Sequence, residues 1–308
     1  MPPQDSHVGE SASRNPPRPP EIRIDLAGLT HRGRVRPNNE DHFLVIRAGR
    51  YLEEVATNLP PGSLAQDTIG PGMAIAVADG MGAHAGGEVA SLLAITTQME
   101  LLLALPDWIL RLDESTRPVA ERRALDRFHA THAAIVGRAA EDPRLYGMGT
   151  TMTVAMSLGL DLRITHVGDT RAYLLHEGRL VALTHDHSRA QELLDEGAAP
   201  AVARRSRHLL TRSLGNKDPR PEVSYWRLAA GDRLLVCTDG LTDMVGESVI
   251  AAELGRHGRA TAACRALVRR ALEAGGLDNV TVGAAFYAVG RRRVPARRAA
   301  PTAPGRSG

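Results

Sequence analysis

At 308 residues the chain is long enough to bury a sizeable core, in one large domain or two small ones, and its 43% hydrophobic and 24% charged content is ordinary for a soluble globular protein. The net charge of +3 is concentrated in Arg291 to Arg306, which reads as a solvated tail with weak affinity for acidic surfaces and excludes a nucleic-acid domain. Two cysteines, Cys237 in an apolar strand and Cys264 in an apolar helix, exclude a disulfide framework and read as buried thiols of a reducing compartment. Aromatic residues make up only 3%, so the core is left to Leu, Val, Ile and Ala.

The leader Met1 to Pro20 is rich in Pro, Ser and Arg and lacks the apolar centre of a signal peptide. Ile22, Ile24 and Leu26 then alternate as a strand. The polar segment His31 to Asp41 leads to a second apolar run, Phe43 to Ile46, and a strand pair joined by a polar crossing is the simple expectation. Arg47 to Gly72 contains Pro60-Pro61-Gly62 and Gly70-Pro71-Gly72 and reads as an irregular insertion with one short helix at Tyr51 to Ala56. From Ala74, Ile75 and Val77 alternate with small alanines, the pattern of a strand packed closely on both faces, and the run stops at Asp79 and two glycines.

Glu88 to Ala104 has helical periodicity and is closed by Pro106; Pro118 opens a second helix with Leu125, Phe128, His132, Ile135, Val136 and Ala139 on one face, stopped by Asp142-Pro143. His132 on that stripe reads as a core histidine. The apolar run Leu101 to Leu110 is broken by Pro106 and Asp107 and falls short of the ~20 residues that span a bilayer, so a cytoplasmic protein with no membrane span is expected. Strands follow at Thr151 to Ser157 and Leu162 to Val167, then a hairpin, Ala172 to Leu183, turning at Glu177-Gly178. Ser188 and Gln191 form a capping box for a short helix ended by Gly197, and Ala198 to His208 is an arginine-rich loop with Arg204, Arg205 and Arg207. The strand Arg233 to Thr238, helices at Glu247 to Leu254 and Thr261 to Ala274, and the strand Val280 to Tyr287 complete the chain. Strands outnumber helices and do not alternate with them, which predicts antiparallel sheets packed on each other with helices outside.

Carboxylates recur where buried strands end. Asp79 closes its strand, Ile164 to Val167 runs into Gly168-Asp169, Leu234 to Thr238 runs into Asp239-Gly240, and Asp278-Asn279 opens the last strand. One such Asp is an ordinary turn residue; four in a common setting, without an obvious cationic neighbour in sequence, suit the ligands of a hard cation. Oxygen donors without thiolate or imidazole favour Mg²⁺ or Mn²⁺. Two such ions roughly 3.5–4 Å apart can activate a bridging water for in-line attack on phosphorus. Arg36, four residues before Glu40, is the candidate guanidinium fork for two phosphate oxygens, although alone it reads equally well as a surface arginine.

Seven segments stand in the order and rough spacing of the metal-dependent, type 2C serine/threonine protein phosphatases. They are Gly33 to Asp41, Val77 to Gly82, Gly149 to Thr151, His166 to Arg171, Leu210 to Gly215, Thr238 to Gly240 and Asp278 to Thr281, and the chain resembles the bacterial branch of that family over about Leu26 to Tyr287. The resemblance implies an α+β fold, an α-β-β-α sandwich of two antiparallel sheets flanked by helices. It implies a phosphatase domain over residues 21–290 between a disordered leader and a basic disordered tail, 291–308. It also implies hydrolysis of phosphoserine and phosphothreonine by a hydroxide bridging two Mn²⁺ or Mg²⁺ ions. Asp79 would bridge the ions, with the carbonyl of Gly80 on one and Asp239 and Asp278 on the other; Glu40 and Asp41 would act through water, Arg36 would bind the phosphate, and Asp169 with Asp239 would hold a third ion. Ser188 to His208 would be a flap beside the site. Implied partners are phosphoproteins, namely serine/threonine protein kinases and their substrates, with no nucleic acid or membrane, and a monomer is expected.

Three positions depart from the family pattern: Met81 stands where some members carry a proton-donating histidine, Thr170 replaces a serine and Ala83 a glycine. The leaving-group proton is therefore expected from water, with His84 the nearest histidine in sequence. The cluster His185-Asp186-His187-Ser188 is expected to be structural, since Ser188 caps a helix. Gly82 to Gly87 is a helix entry and not a nucleotide loop, because no Gly-Lys-Ser/Thr follows. Two other functions fit the same fold: a silent module that reads phosphorylated partners, against which the intact Asp79, Asp239, Asp278 and Arg36 speak, and a phosphatase of small molecules. The arginines of the flap are expected to favour acidic phosphosites.

Overall fold

The computed structural model describes residues 22–49, 72–82, 86–105 and 115–289. The leader, the insertion with its expected helix at Tyr51 to Ala56, the positions Ala83 and His84, and the basic tail lie outside the described residues. In chain order the strands are β1 (Ile22–His31), β2 (Asp41–Ala48), β3 (Gly72–Met81), β4 (Gly149–Thr150), β5 (Met152–Leu158), β6 (Asp161–Val167), β7 (Arg171–His176), β8 (Arg179–Ala182), β9 (Glu222–Arg227), β10 (Arg233–Cys237) and β11 (Val280–Val289). Helices α1 (Gly86–Ala104) and α2 (Arg117–Glu141) lie between β3 and β4. Helices α3 (Arg189–Asp195) and α4 (Pro200–Ala203) lie between β8 and β9, and α5 (Asp239–Thr242), α6 (Glu247–Arg256) and α7 (Ala260–Glu273) between β10 and β11.

The layers follow from the two-residue alternation of the strands. On β3, Met73, Ile75 and Val77 point, with Leu162 and Ile164 of β6 in the same sheet, into a core shared with Ile24, Leu234, Val236 and Tyr287 of the facing sheet. On its other face Ala76 and Ala78 meet Ala90 and Ala94 of α1, with Phe128 and Ile135 of α2 behind them, so the small residues let the helix lie close against the sheet. A third core covers the opposite sheet, where Tyr173, Leu235, Cys237, Val282 and Ala284 receive Ile250, Leu254, Cys264 and Leu267 from α6 and α7. Each fully buried aliphatic side chain of these cores contributes about 1.5–3 kcal/mol. The result is the expected four-layer α-β-β-α sandwich, with antiparallel sheets ordered β1-β11-β10-β7-β8 and β2-β3-β5-β6-β9 and β4 pairing with the end of β3.

The expected turns and caps are present. Glu177 and Gly178 take φ of 48° and 81° at the β7–β8 hairpin, the left-handed pair that a two-residue turn needs, and the Ser188 side chain accepts from the Gln191 N–H at the start of α3.

Other expectations are corrected. The runs containing Ile24 and Phe43 are strands but not partners: β1 pairs with β11 and β2 with β3, so residues 32–40 cross from one sheet to the other. Helix α1 is, by length and composition, long and apolar enough to cross a bilayer, contrary to the expectation for the apolar runs; here it packs on β3 and α2 with Ala90, Ser91 and Ala94 buried. Val136 of α2 faces solvent, 42% exposed, because the helix sits on Phe128 and Ile135 instead. The arginine-rich loop is largely helical, α4 followed by a 3₁₀ turn at Arg204–Ser206, with Pro200 in the first turn where its missing N–H costs no hydrogen bond. Strand β9 is an addition, a half-exposed edge whose alternation is too weak to stand out in sequence.

Candidate metal centre

The antiparallel arrangement gathers the strand-end carboxylates at one end of the sandwich. Asp79 at the end of β3 stands directly across the ladder from Asp41 at the start of β2. Its carbonyl accepts from the Thr151 N–H at 2.9 Å and from the Thr150 hydroxyl at 2.8 Å, while Gly80 N–H donates to the Glu40 carbonyl at 3.1 Å. Asp239 opens α5 one residue beyond β10, after Thr238, and Asp278 precedes β11 with only Asn279 between. These last two turns are pressed together: a Cβ on Gly240 would sit 1.9 Å from the Asn279 carbonyl oxygen, so only glycine permits the approach. Asp169 follows β6 through Gly168, at φ 105°.

Crowding these acids out of water shifts their ionisation. Burial, reinforced by the charges of Asp41, Asp239, Asp169 and Asp278, holds the Asp79 carboxyl well above the usual carboxylate range. Asp41 is pushed up to about 7 by burial, against the opposing hydrogen bonds from Thr281 and Thr238, with Asp239 and Asp278 adding repulsion. Asp239 rises to about 6 through burial and the charges of Asp278 and Asp243. Asp169 is raised by burial and by Asp239 and Asp186. Glu40 is also raised by burial, with Arg36 opposing. Two hydroxyls, Thr281 at 2.7 Å and Thr238 at 3.0 Å, donate to Oδ2 of Asp41, whereas its Oδ1 is buried without a partner.

Arg36 is at the rim, and it is not free: its Nη2 lies 2.7 Å from Oδ2 of Asp278. No cation neighbours these acids in sequence, yet the fold brings one to Asp278 from 242 residues away. Asp169, Asp41, Asp79 and Asp239 have no such ion pair among the described residues.

The donor set was tested against a divalent cation. All candidates are oxygen donors, they raise one another's pKa, and one carboxylate oxygen, Oδ1 of Asp41, is buried without a hydrogen-bond partner; each of these observations fits a hard cation. Among the described residues no three His, Cys, Asp or Glu side chains are already drawn to a single coordination point. The fit therefore rests on donor chemistry and electrostatics.

Several supporting residues escaped sequence reading. The Asn279 side chain, 6% exposed, accepts from the Glu40 N–H and donates to the Arg32 and Asn38 carbonyls, all at 2.8 Å, so it pins the crossing that carries Arg36 to the loop that carries Asp278. Thr150, Thr151, Thr238 and Thr281 anchor Asp79 and Asp41. A threonine at each strand end was the available signal, but threonine is common in strands and does not stand out. The cluster His185 to Ser188 is structural, as expected: Asp186 takes a two-pronged contact from Arg171 at 2.8 and 2.6 Å, and His187 Nδ1 accepts from the Gly168 N–H at 3.1 Å. His132 Nδ1 likewise accepts from the Gly215 N–H at 3.1 Å.

A sandwich of this topology with acids converging at one end defines a class, and comparison with known proteins identifies it. The family described as protein phosphatase 2C matches residues 59–274, and the chain belongs to that family. It is 36% identical over 264 residues to the serine/threonine protein phosphatase PstP of Mycobacterium tuberculosis, covering 84% of this chain and 44% of that protein, so it spans less than half of that relative's length. It is 31% identical over 265 residues to the protein phosphatase PhpP of Streptococcus pneumoniae, covering 84% of this chain and 96% of that protein. Among solved structures it is similar to the catalytic domain of PstP in complex with two manganese ions, with a TM-score of 0.66, 34% identity, and coverage of 87% of this chain and 99% of that one.

Proposed function

We propose that this chain is a Mn²⁺- or Mg²⁺-dependent phosphatase of phosphoserine and phosphothreonine in proteins. The observation that carries the reading is the set of acids, buried Asp41 with the half-buried Asp79, Asp169 and Asp239, mutually raised in pKa, with Arg36 at the rim. The manganese pair in the structure of the PstP catalytic domain supports a two-ion site here. Asp79, the Gly80 carbonyl, Asp239 and Asp278 would hold the ions, Glu40 and Asp41 would act through water, and Asp169 with Asp239 would hold a third ion.

Bound there, divalent cations supply charge against the phosphate and lower the pKa of water. The protein's own residues do the rest. The Arg36 fork matches two phosphate oxygens and orients the phosphoryl group, and the ion pair with Asp278 holds it at the rim. The hydroxyls of Thr238 and Thr281 fix one oxygen of Asp41 and leave the other buried without a partner. Met81 has no proton to give, so the leaving alkoxide takes its proton from water. Serine/threonine protein kinases and their substrates are the proposed partners.

The test is phosphate release from matched phosphothreonine and phosphotyrosine peptides by metal-stripped protein, with and without Mn²⁺. Release from phosphothreonine that requires Mn²⁺ and disappears in Asp239→Asn supports the reading. Folded protein that releases none with Mn²⁺, or with Mg²⁺ in its place, overturns it.

A further inference from the structure

Beside the carboxylate cluster a cleft of about 380 Å³ opens between the flap and the end of the sandwich. Asp169, Asp239, Leu194, Pro200 and the exposed Arg204 and Arg207 all line it. The charges in this cleft can be sorted by what already neutralises them. Asp186 is matched by the two-pronged contact of Arg171, and Asp243 by Arg207 at 3.4 Å. On and just after α3, Arg189 reaches Glu192 at 3.2 Å and Glu196 at 3.1 Å, and Asp195 lies 3.2 Å from His185 Nε2. Asp169 and Asp239 belong to the proposed metal end.

What remains is positive. Arg204 and its neighbour Arg205 are exposed, and among the described residues neither meets a carboxylate. Arg204 lines the same cleft as Asp239, an acid of the proposed metal centre, so its guanidinium is placed to receive a second anionic group on a substrate whose phosphate reaches that centre. We infer that Arg204, with Arg205 beside it, makes the enzyme selective for phosphosites flanked by an acidic side chain, Asp or Glu. The inference rests on the phosphoprotein phosphatase reading and names the substrate class within it. Arg204 is here a specificity residue: it touches the flank of the substrate and not the reacting phosphate.

Exposed ion pairs are individually weak and screened by salt, so the effect is modest and ionic-strength dependent: about fivefold in kcat/KM for an acidic over a neutral flank at low salt, shrinking towards one near 0.5 M. The experiment compares phosphothreonine peptides identical except for Asp, Ala or Lys at flanking positions on either side, using the full chain with Mn²⁺. The readout is the acidic-to-neutral ratio within each variant, so that any general change in activity cancels. Wild-type protein should prefer acidic peptides; Arg204→Glu/Arg205→Ala should bring the ratio to one or below; and Arg189→Ala, a flap arginine already matched on its own helix, should keep the wild-type ratio. Equal hydrolysis of all peptides by wild type, or an acidic preference that survives in Arg204→Glu/Arg205→Ala, overturns the inference while leaving the phosphatase reading intact. Hydrolysis of p-nitrophenyl phosphate but of no peptide would overturn both.

Discussion

Stripping the metal should make this protein less stable as pH rises, the reverse of ordinary acid denaturation. The reason is Asp41, whose carboxyl is carried from the ordinary 3.8 to about 7 by burial, a difference worth about 4 kcal/mol against the ionised form. Its folded pKa lies above its unfolded one, so the folded state keeps a proton that the unfolded chain releases. The stability tied to that proton is full below the unfolded pKa and is lost as pH rises through the folded pKa. Roughly 2.5 kcal/mol of the loss falls between pH 5 and 8, which for a domain of this size is a fall in Tm of about 5–10 °C. Asp79, Asp169 and Asp239 are shifted in the same direction and add to it. The assay is calorimetry on metal-stripped protein across that window, repeated with Mn²⁺. Ions that bind only the folded, ionised cluster should restore stability most at pH 8, by about 2.7 kcal/mol at a hundred times their Kd. Asp41→Asn, which cannot ionise, should flatten part of the slope. A Tm that holds or rises from pH 5 to 8 without metal, or a slope unchanged in Asp41→Asn, would refute the electrostatic account of the site.

Asn279→Ala removes three buried hydrogen bonds between the crossing and the β11 loop and should cost about 2–4 kcal/mol in denaturant unfolding, with Mn²⁺ affinity falling alongside. In Gly240→Ala the new Cβ meets the Asn279 carbonyl at 1.9 Å, so the Asp239 and Asp278 turns must separate; kcat/KM should fall about a hundredfold, measured on a phosphothreonine peptide. Arg36→Lys keeps the charge but loses the fork, and steady-state kinetics should show kcat/KM down about ten- to a hundredfold. In contrast, Gly178→Ala strains the φ 81° hairpin position far from the carboxylates and should lower stability by about 1 kcal/mol with kcat/KM unchanged.

What the sequence by itself determined is what local chemistry controls. The alternation of Ile75 and Val77 with alanines marks a strand buried on both sides, Glu177-Gly178 marks the β7–β8 hairpin, and Ser188 marks a helix start, because each depends on neighbours within a few residues. The acids at strand ends and the ordered segments likewise made the metal-dependent phosphatase family legible before any geometry was known. Only the tertiary structure decided which strands pair, since β1 finds β11 at the far end of the chain while its sequence neighbour β2 joins the other sheet. It alone decided that Arg36 meets Asp278 and that Asn279 holds the crossing, contacts that span more than two hundred residues. It also decided the ionisation of the acids, because a carboxylate's pKa depends on burial and on which charges the fold brings near it, and the spacing of aspartates along a chain carries neither.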